Sequence, residues 1–257
     1  MPELPEVERA VRKLRLAAEG RIITALRLLH PSLRRRVSSA TLRKLRGARI
    51  ERIERQGKHQ LLRLADGRTV RVHFRMNGEW QFDASDAPLP RFARAVLLLA
   101  DGTRVVLDDS RALSTIDVHA ADAPPVLALG PEPGDPSLTA DYLRDQFVRR
   151  RAAVKPVLLD QRVIAGLGNI YAAEALWRAR IDPRRSAASL SRASLARLLT
   201  AIAEVVATAT GGRYYGEGAG RFQVYDREGE RCHRCARRIA RIVQAGRSTY
   251  FCPGCQR

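Results

Sequence analysis

Twice between residues 58 and 107 an apolar-rich segment runs into an Asp-Gly pair and out into another such segment: 58–65, Asp66-Gly67 and 69–76, then 93–100, Asp101-Gly102 and 103–107. Asp-Gly tolerates the left-handed conformations of a two-residue turn, so both runs read as antiparallel hairpins. Residues 21–29 and 48–55 have strand-like mixtures of branched apolar and basic side chains, with a short helix predicted over 39–46. Regularly spaced short strands must bury their apolar faces against a second layer, which predicts a sandwich or flattened barrel. The pattern changes after residues 123–137, where five prolines and two glycines read as an interdomain linker. Beyond it the spacing is helical: 139–150 behind a Thr139 cap, 152–160, 169–179 and 191–210. In the last, Leu195, Leu198, Leu199, Ile202, Val205, Val206 and Ala209 trace one stripe before Gly211-Gly212 ends it. A chain of 257 residues so patterned forms two modest domains, and its fold class is α+β multidomain.

Lys and Arg number 46 against 27 Asp and Glu, a formal charge of +19 spread along the whole sequence. That excess calls for a polyanionic partner, and a 45% hydrophobic content with clear periodicity argues against a disordered polycationic tail. Nucleic acid is the partner so implied. No apolar run approaches membrane-spanning length, and the acidic, proline-containing start is unlike a signal peptide. The expectation is therefore a cytoplasmic, nucleoid-associated protein with no membrane partner.

All four cysteines fall after residue 231, as Cys232-His-Arg-Cys235, sixteen residues, then Cys252-Pro-Gly-Cys255. Two such knuckles deliver four thiolates to one tetrahedral Zn²⁺; the alternative is two disulfides, which suit a reducing compartment less well, or free thiols. A closed four-cysteine site leaves no open position, so the zinc reads as structural and His233 as a bystander. Residues 238–251 read as a hairpin turning at Ala245-Gly246, with Arg247 near its tip in reach of a phosphate. Gly166-Leu-Gly168-Asn169 lies between two predicted helices. Its glycines allow close backbone approach, and Asn169 is placed to cap the following helix, whose N-terminus would face a phosphate; plain turn chemistry accounts for the same residues.

The chain begins Met1-Pro2-Glu3-Leu4-Pro5-Glu6-Val7-Glu8. Leu4, Val7, Val11 and Leu14 share one helical face, and Pro5 is tolerated only in a first turn, so a helix begins near Glu3 or Leu4. By themselves these residues read first as an ordinary helix start with glutamates complementing its dipole. Removal of Met1, which the small Pro2 permits, would instead expose a secondary amine able to form an iminium at a sugar C1′, with a neighbouring carboxyl as acid and base.

Taken in order, Pro-Glu-Leu-Pro-Glu-Val-Glu at 2–8, Gly57-Lys58, His73-Phe-Arg-Met76-Asn-Gly78, Asp109-Ser-Arg111, Lys155-Pro156, residues 166–174 and Gln244-Ala-Gly-Arg247-Ser-Thr-Tyr-Phe-Cys252 resemble the formamidopyrimidine-DNA glycosylase and endonuclease VIII family. The resemblance spans nearly the whole chain. It implies an N-terminal catalytic β-sandwich with a leading helix over 1–122, a linker over 123–138, a helix–two-turn–helix domain over 139–226 and a zinc-finger hairpin over 227–257. A monomer would hold damaged double-stranded DNA in the cleft between the two halves. In the catalytic set, Pro2 attacks C1′ of the damaged nucleoside, Glu3 protonates the sugar and Glu6 supports it; β- and δ-elimination then nick the strand. The dipole at the helix start lowers a carboxyl pKa while a general acid needs it high, so burial and repulsion from Glu6 would have to push Glu3 upward. Lys58, carried with the catalytic set, corresponds with Asn169 and Arg247 to a phosphate clamp, and His73 to a further phosphate contact. Met76, Arg111 and Leu113 fall where the family fills the gap left by an extruded base, Lys155 where it approaches the lesion or carries surface charge, and Tyr171 within the 166–174 run.

Two departures bear on substrate. Leu113 stands where the family commonly has Phe, and only nine residues, 213–221, separate Gly211-Gly212 from Phe222-Gln223-Val224-Tyr225, fewer than in the loop that covers 8-oxoguanine. Formamidopyrimidine or 8-oxoguanine-type purines, oxidised pyrimidines and abasic sites all stay open as substrates. A catalytically silent zinc-finger protein binding damaged or abasic DNA is the alternative from another class.

Overall fold

The structure, a computed structural model, describes residues 2–84, 87–211 and 222–257, and the chain forms two compact units, Met1–Leu127 and Ala128–Arg257.

The first unit is a sandwich of two four-stranded antiparallel sheets. One has the order β1-β6-β7-β5 (Ile23–Leu28, Ala93–Leu99, Thr103–Asp108, Glu79–Ala84), the other β2-β3-β4-β8 (Ile50–Gln56, His59–Leu64, Thr69–His73, Thr115–His119). Both Asp-Gly hairpins form: Gly67 and Gly102 take φ of 85° and 86°, which side chains disfavour. Alternation sends Leu62, Leu64, Val70 and Val72 of one sheet and Leu97, Leu99, Val105 and Leu107 of the other into a shared core. Helix α1, Leu4–Ala18, closes that core with Val7, Val11 and Leu14, each fully buried. Their burial is worth roughly 1.5–3 kcal/mol apiece. Two short helices, α2 (Pro31–Arg34) and α3 (Ser39–Lys44), connect β1 to β2.

β5 and β8 are edge strands that the sequence pattern did not announce; each contributes few apolar residues and is held by one neighbour. The run read as a strand through Met76 ends at His73. Arg75 turns to φ 56°, and its N–H donates to His73 Nδ1 at 2.9 Å instead of continuing the ladder.

The second unit is helical. α4 (Ala140–Phe147) starts behind Thr139, whose hydroxyl accepts from Tyr142 N–H at 3.1 Å. α5 (Val154–Leu158) is shorter than the sequence suggests, and the N–H of Val154, which as a first-turn donor has no partner within the helix, is satisfied by the Arg185 carbonyl at 2.8 Å. α6 spans Asn169–Arg178 and α7 Arg192–Thr210, the latter capped by Ser191. At 19 residues and mean hydropathy 1.3, α7 is long and apolar enough to cross a membrane by length and composition only. Here Leu195, Leu198, Ile202, Val205 and Ala209 are buried against α4 and α6, as in the core helix of a globular unit; Leu199 is only half-buried. The unit ends in a hairpin of β9 (Ala240–Gln244) and β10 (Arg247–Phe251), turning at Ala245 and Gly246 with φ of 48° and 72°.

Candidate active site

Glu3 is the N-cap of α1 and is fully buried, while Pro2 just before it stays half-exposed. The Glu6 carboxylate accepts from the Glu3 N–H at 2.7 Å, and the Glu3 side chain accepts in return from the Glu6 backbone. This is a capping box with glutamate at both ends, so one turn of helix fixes two carboxyls beside Pro2. One turn on, Glu8 accepts from Arg55 Nε at 2.8 Å, and Arg55 Nη1 donates to the Gly57 carbonyl at 3.1 Å. Burial pushes the Glu8 carboxyl up, but Arg55 and Arg12 outweigh it and hold it below the ordinary value. The start of the helix is thereby tied to the turn that carries Lys58, itself buried.

Met76 and Leu113 are exposed at 36% and 44%, unusual for large apolar side chains beside a well-formed core. Each sits next to a left-handed non-glycine residue, Arg75 (φ 56°) or Ala112 (φ 52°), and Arg111 is exposed with them. His73 lies edge-on to His59, with ring centroids 4.7 Å apart. Burial, then His59 and the cations Arg75, Lys58 and Arg71, bring its pKa down to about 3. A phosphate contact by His73 would thus use a neutral imidazole rather than a charge.

In the second unit the turn before α6 departs from the sequence reading in two ways. Gly168, not Asn169, is the N-cap; Asn169 is the first helical residue, and its amide donates to the Ser248 carbonyl at 3.0 Å. Lys155 is neither surface charge nor free to reach a ligand. It is 1% exposed, and Nζ donates to Asn169 Oδ1 at 2.6 Å, Thr249 Oγ1 at 2.7 Å and the Ser248 carbonyl at 2.9 Å. Three acceptors engage all three ammonium protons. The lysine therefore pins α5, the start of α6 and the hairpin strand that Arg247 opens. Tyr171 is completely enclosed, so its ring offers nothing to an external ligand. Glu174, whose role the sequence did not show, is buried and accepts from the N–H groups of Gln223, Val224 and Tyr225 at 2.8–2.9 Å. Burial raises its pKa against those three bonds. It anchors the segment after residues 213–221, which lie outside the described residues, as does Met1.

The four cysteine sulfurs lie within 4.8 Å of one another. Cys232 and Cys255 are 3.8 Å apart and Cys235 and Cys252 3.4 Å, too far for disulfides and close to the ~3.8 Å edge of a tetrahedron with ~2.3 Å Zn–S bonds. The donor set fits one structural zinc ion. His233 faces away, toward Gln223 at 3.0 Å. Arg234 stacks 3.6 Å over the Trp177 ring and donates to the Trp177 carbonyl at 2.7 Å, seating the knuckle on the end of α6.

Three domain families match the chain in order. They are the formamidopyrimidine-DNA glycosylase N-terminal domain over residues 1–116, the formamidopyrimidine-DNA glycosylase H2TH domain over 129–214, and the zinc finger found in FPG and IleRS over 229–257. A curated formamidopyrimidine-DNA glycosylase of Novosphingobium aromaticivorans is 40% identical over 273 residues, covering 100% of each chain. That of Paracoccus denitrificans is 39% identical over 280 residues, with the same coverage. Among solved structures, Lactococcus lactis Fpg in complex with abasic-site DNA is similar with a TM-score of 0.91 at 30% identity over 99% of both chains. The same organism's wild-type Fpg with DNA containing an oxidised pyrimidine gives 0.91 at 31% over 100% of both. Three domains in the family's order, full-length identity near 40% and a shared fold mean that the chain belongs to the formamidopyrimidine-DNA glycosylase family.

Proposed function

We propose that the chain is a bifunctional DNA glycosylase and abasic-site lyase acting on oxidised bases in damaged double-stranded DNA. The observation that carries this is the start of α1, where fully buried Glu3 and half-buried Glu6, joined at 2.7 Å, stand beside Pro2. With Met1 removed, the Pro2 amine attacks C1′ and expels the damaged base, Glu3 protonates the sugar oxygen to open the ring, and Glu6 orients Glu3 through its backbone. Elimination on the β and then the δ side of the resulting iminium nicks the strand. Lys58, Asn169 and Arg247 hold phosphates, with His73 as a neutral donor, and Met76, Arg111 and Leu113 occupy the gap of the extruded nucleotide. Lys155 and Tyr171 serve this binding from beneath, as buried supports. The divisions that suit these roles are 1–122 for catalysis, 123–138 as linker, 139–226 for the helical DNA-binding part and 227–257 for the zinc finger. The protein acts as a monomer in the cytoplasm, at the nucleoid.

One relative, Lactococcus lactis Fpg, is bound to abasic-site, oxidised-pyrimidine and Fapy-dG DNA in three solved structures, which supports a substrate range kept broad within oxidised and ring-opened bases. Borohydride trapping on duplexes carrying each lesion tests the reading. A covalent adduct that maps to Pro2 supports it, whereas tight binding without an adduct on any lesion would make the chain a non-catalytic DNA-binding protein. N-terminal mass is the companion measurement, because retained Met1 leaves no free proline amine.

A further inference from the structure

We propose that Asp109 and Ser114 lock the two loops carrying Met76, Arg111 and Leu113 into one element, and that this lock sets discrimination among bases opposite the lesion. The second half rests on the reading above, in which those side chains fill the gap of an extruded nucleotide.

The loop from β7 to β8 has an unusual hydrogen-bond economy. Its four successive N–H groups at residues 111–114 all end on Asp109. Arg111 donates to Oδ1 at 3.0 Å, Leu113 and Ser114 donate to Oδ2 at 2.8 Å, and Ala112 donates to the Asp109 carbonyl at 3.1 Å. One carboxylate thus holds Ala112 in its left-handed conformation and aims the residues on either side outward. Asp109 is itself fixed to β6, where its N–H donates to the Phe92 carbonyl at 3.0 Å and its own carbonyl accepts from Arg94 Nε at 2.7 Å.

The second loop, 74–78, is joined to the first by one hydroxyl. Ser114 Oγ lies 2.8 Å from Asp109 Oδ2 and 3.0 Å from the Phe74 carbonyl, with one proton to donate between them. The Gly78 N–H donates to that same carbonyl at 3.1 Å. A Cβ on Gly78 would stand 2.4 Å from Ser114 Oγ and 2.9 Å from Phe74 Cα, so the two loops are already in closest contact there. Asp109 and Ser114 are 1% and 4% exposed, so their own side chains offer almost no surface to an external ligand. They position three exposed side chains from two loops that are otherwise far apart in sequence. Readout of an opposite base depends on such side chains keeping a fixed mutual geometry, and a preformed geometry loses less entropy on binding.

Asp109→Asn and the milder Ser114→Ala test both halves. Amide hydrogen exchange in the free protein reads the lock. Asp109→Asn accelerates exchange about tenfold or more at residues 111–114 and also at Gly78, and Ser114→Ala does so mainly at Gly78. Nicking of abasic DNA, single-stranded and in duplexes with each of the four opposite bases, reads the consequence. The single-stranded rate stays within about twofold, while the spread among opposite bases shrinks about tenfold in Asp109→Asn, the scale of one lost hydrogen bond to a charged group. Unchanged exchange at Gly78 in both variants overturns the lock. An unaltered spread, an absent spread in the parent chain, or an equal fall in single-stranded and duplex rates overturns its role in discrimination. If the parent protein neither traps nor nicks, the functional reading and the discrimination role fall together, and exchange still decides the lock.

Discussion

Lys155 Nζ and Asn169 Oδ1 meet at 2.6 Å inside the second unit, fourteen residues apart in sequence, with the lysine fully enclosed. The same ammonium holds Ser248 and Thr249 beside Arg247, so the phosphate-binding candidates Asn169 and Arg247 are set by one buried cation. Lys155→Met keeps the volume but orphans three acceptors, and costs about 2–4 kcal/mol of stability. Binding to abasic duplex weakens, with the salt slope nearly unchanged because Lys155 itself neutralises no phosphate. Arg247→Ala lowers the slope by about one. Urea unfolding and titrations at several salt concentrations check both; equal slope changes in the two variants would defeat the assignment.

Pro2→Gly and Glu3→Gln each lower the nicking rate by about 10²-fold or more, the scale of one lost nucleophile or general acid, while abasic-DNA affinity changes little. Glu6→Gln keeps a carbonyl acceptor for the Glu3 N–H and so retains more activity than Glu3→Gln. Single-turnover rates beside binding constants decide, and nicking by Glu3→Gln at the parent rate would remove Glu3 from the mechanism.

Chelation of the structural zinc frees the two knuckles and the hairpin between them, whose strand β10 carries Ser248 and Thr249. DNA affinity falls and the Thr249 amide exchanges faster, both restored by added zinc. A metal-free preparation with parent affinity would refute the coupling.

Acid weakens the first unit before its carboxylates titrate. Burial first, and then Arg71 and Arg75, bring His59 from 6.5 to about 4, and His73 lies at about 3. Between pH 6.5 and those values the unfolded chain binds more protons than the folded one, so stability decreases as pH falls through that window. Urea midpoints at pH 7 and 5 should therefore differ, and the difference should shrink in His59→Gln/His73→Asn, where asparagine keeps an acceptor for the Arg75 N–H. A pH-independent midpoint in the parent chain would contradict the buried neutral imidazoles.

Much of the framework was legible along the chain because its signals are local. Asp66-Gly67 and Asp101-Gly102 mark hairpins through their turn conformations, Leu4, Val7, Val11 and Leu14 mark a helix face, and the cysteine spacing marks one metal ion. Strands β5 and β8 were missed because each is a short segment, Glu79–Ala84 or Thr115–His119, with no Asp-Gly turn to mark it and no run of branched apolar residues. The buried face of α7 was legible in its stripe of Leu195, Leu198, Ile202, Val205, Val206 and Ala209, and only Leu199 departs from it by staying half-buried.

The sequence by itself determined the two-part architecture, the zinc ligands and the family, and it supplied the proposal of a reactive end at Pro2 and Glu3, all carried by residue type and short spacing. Tertiary structure alone decided what the buried polar groups do. Lys155 became a strut rather than a surface charge, Glu174 an anchor for residues 223–225, and Asp109 the hub of a loop 109–114 tied to the turn at 74–78. A polar side chain's role is set by which unpaired donors and acceptors burial brings to it, and those partners lie up to 94 residues away along the chain.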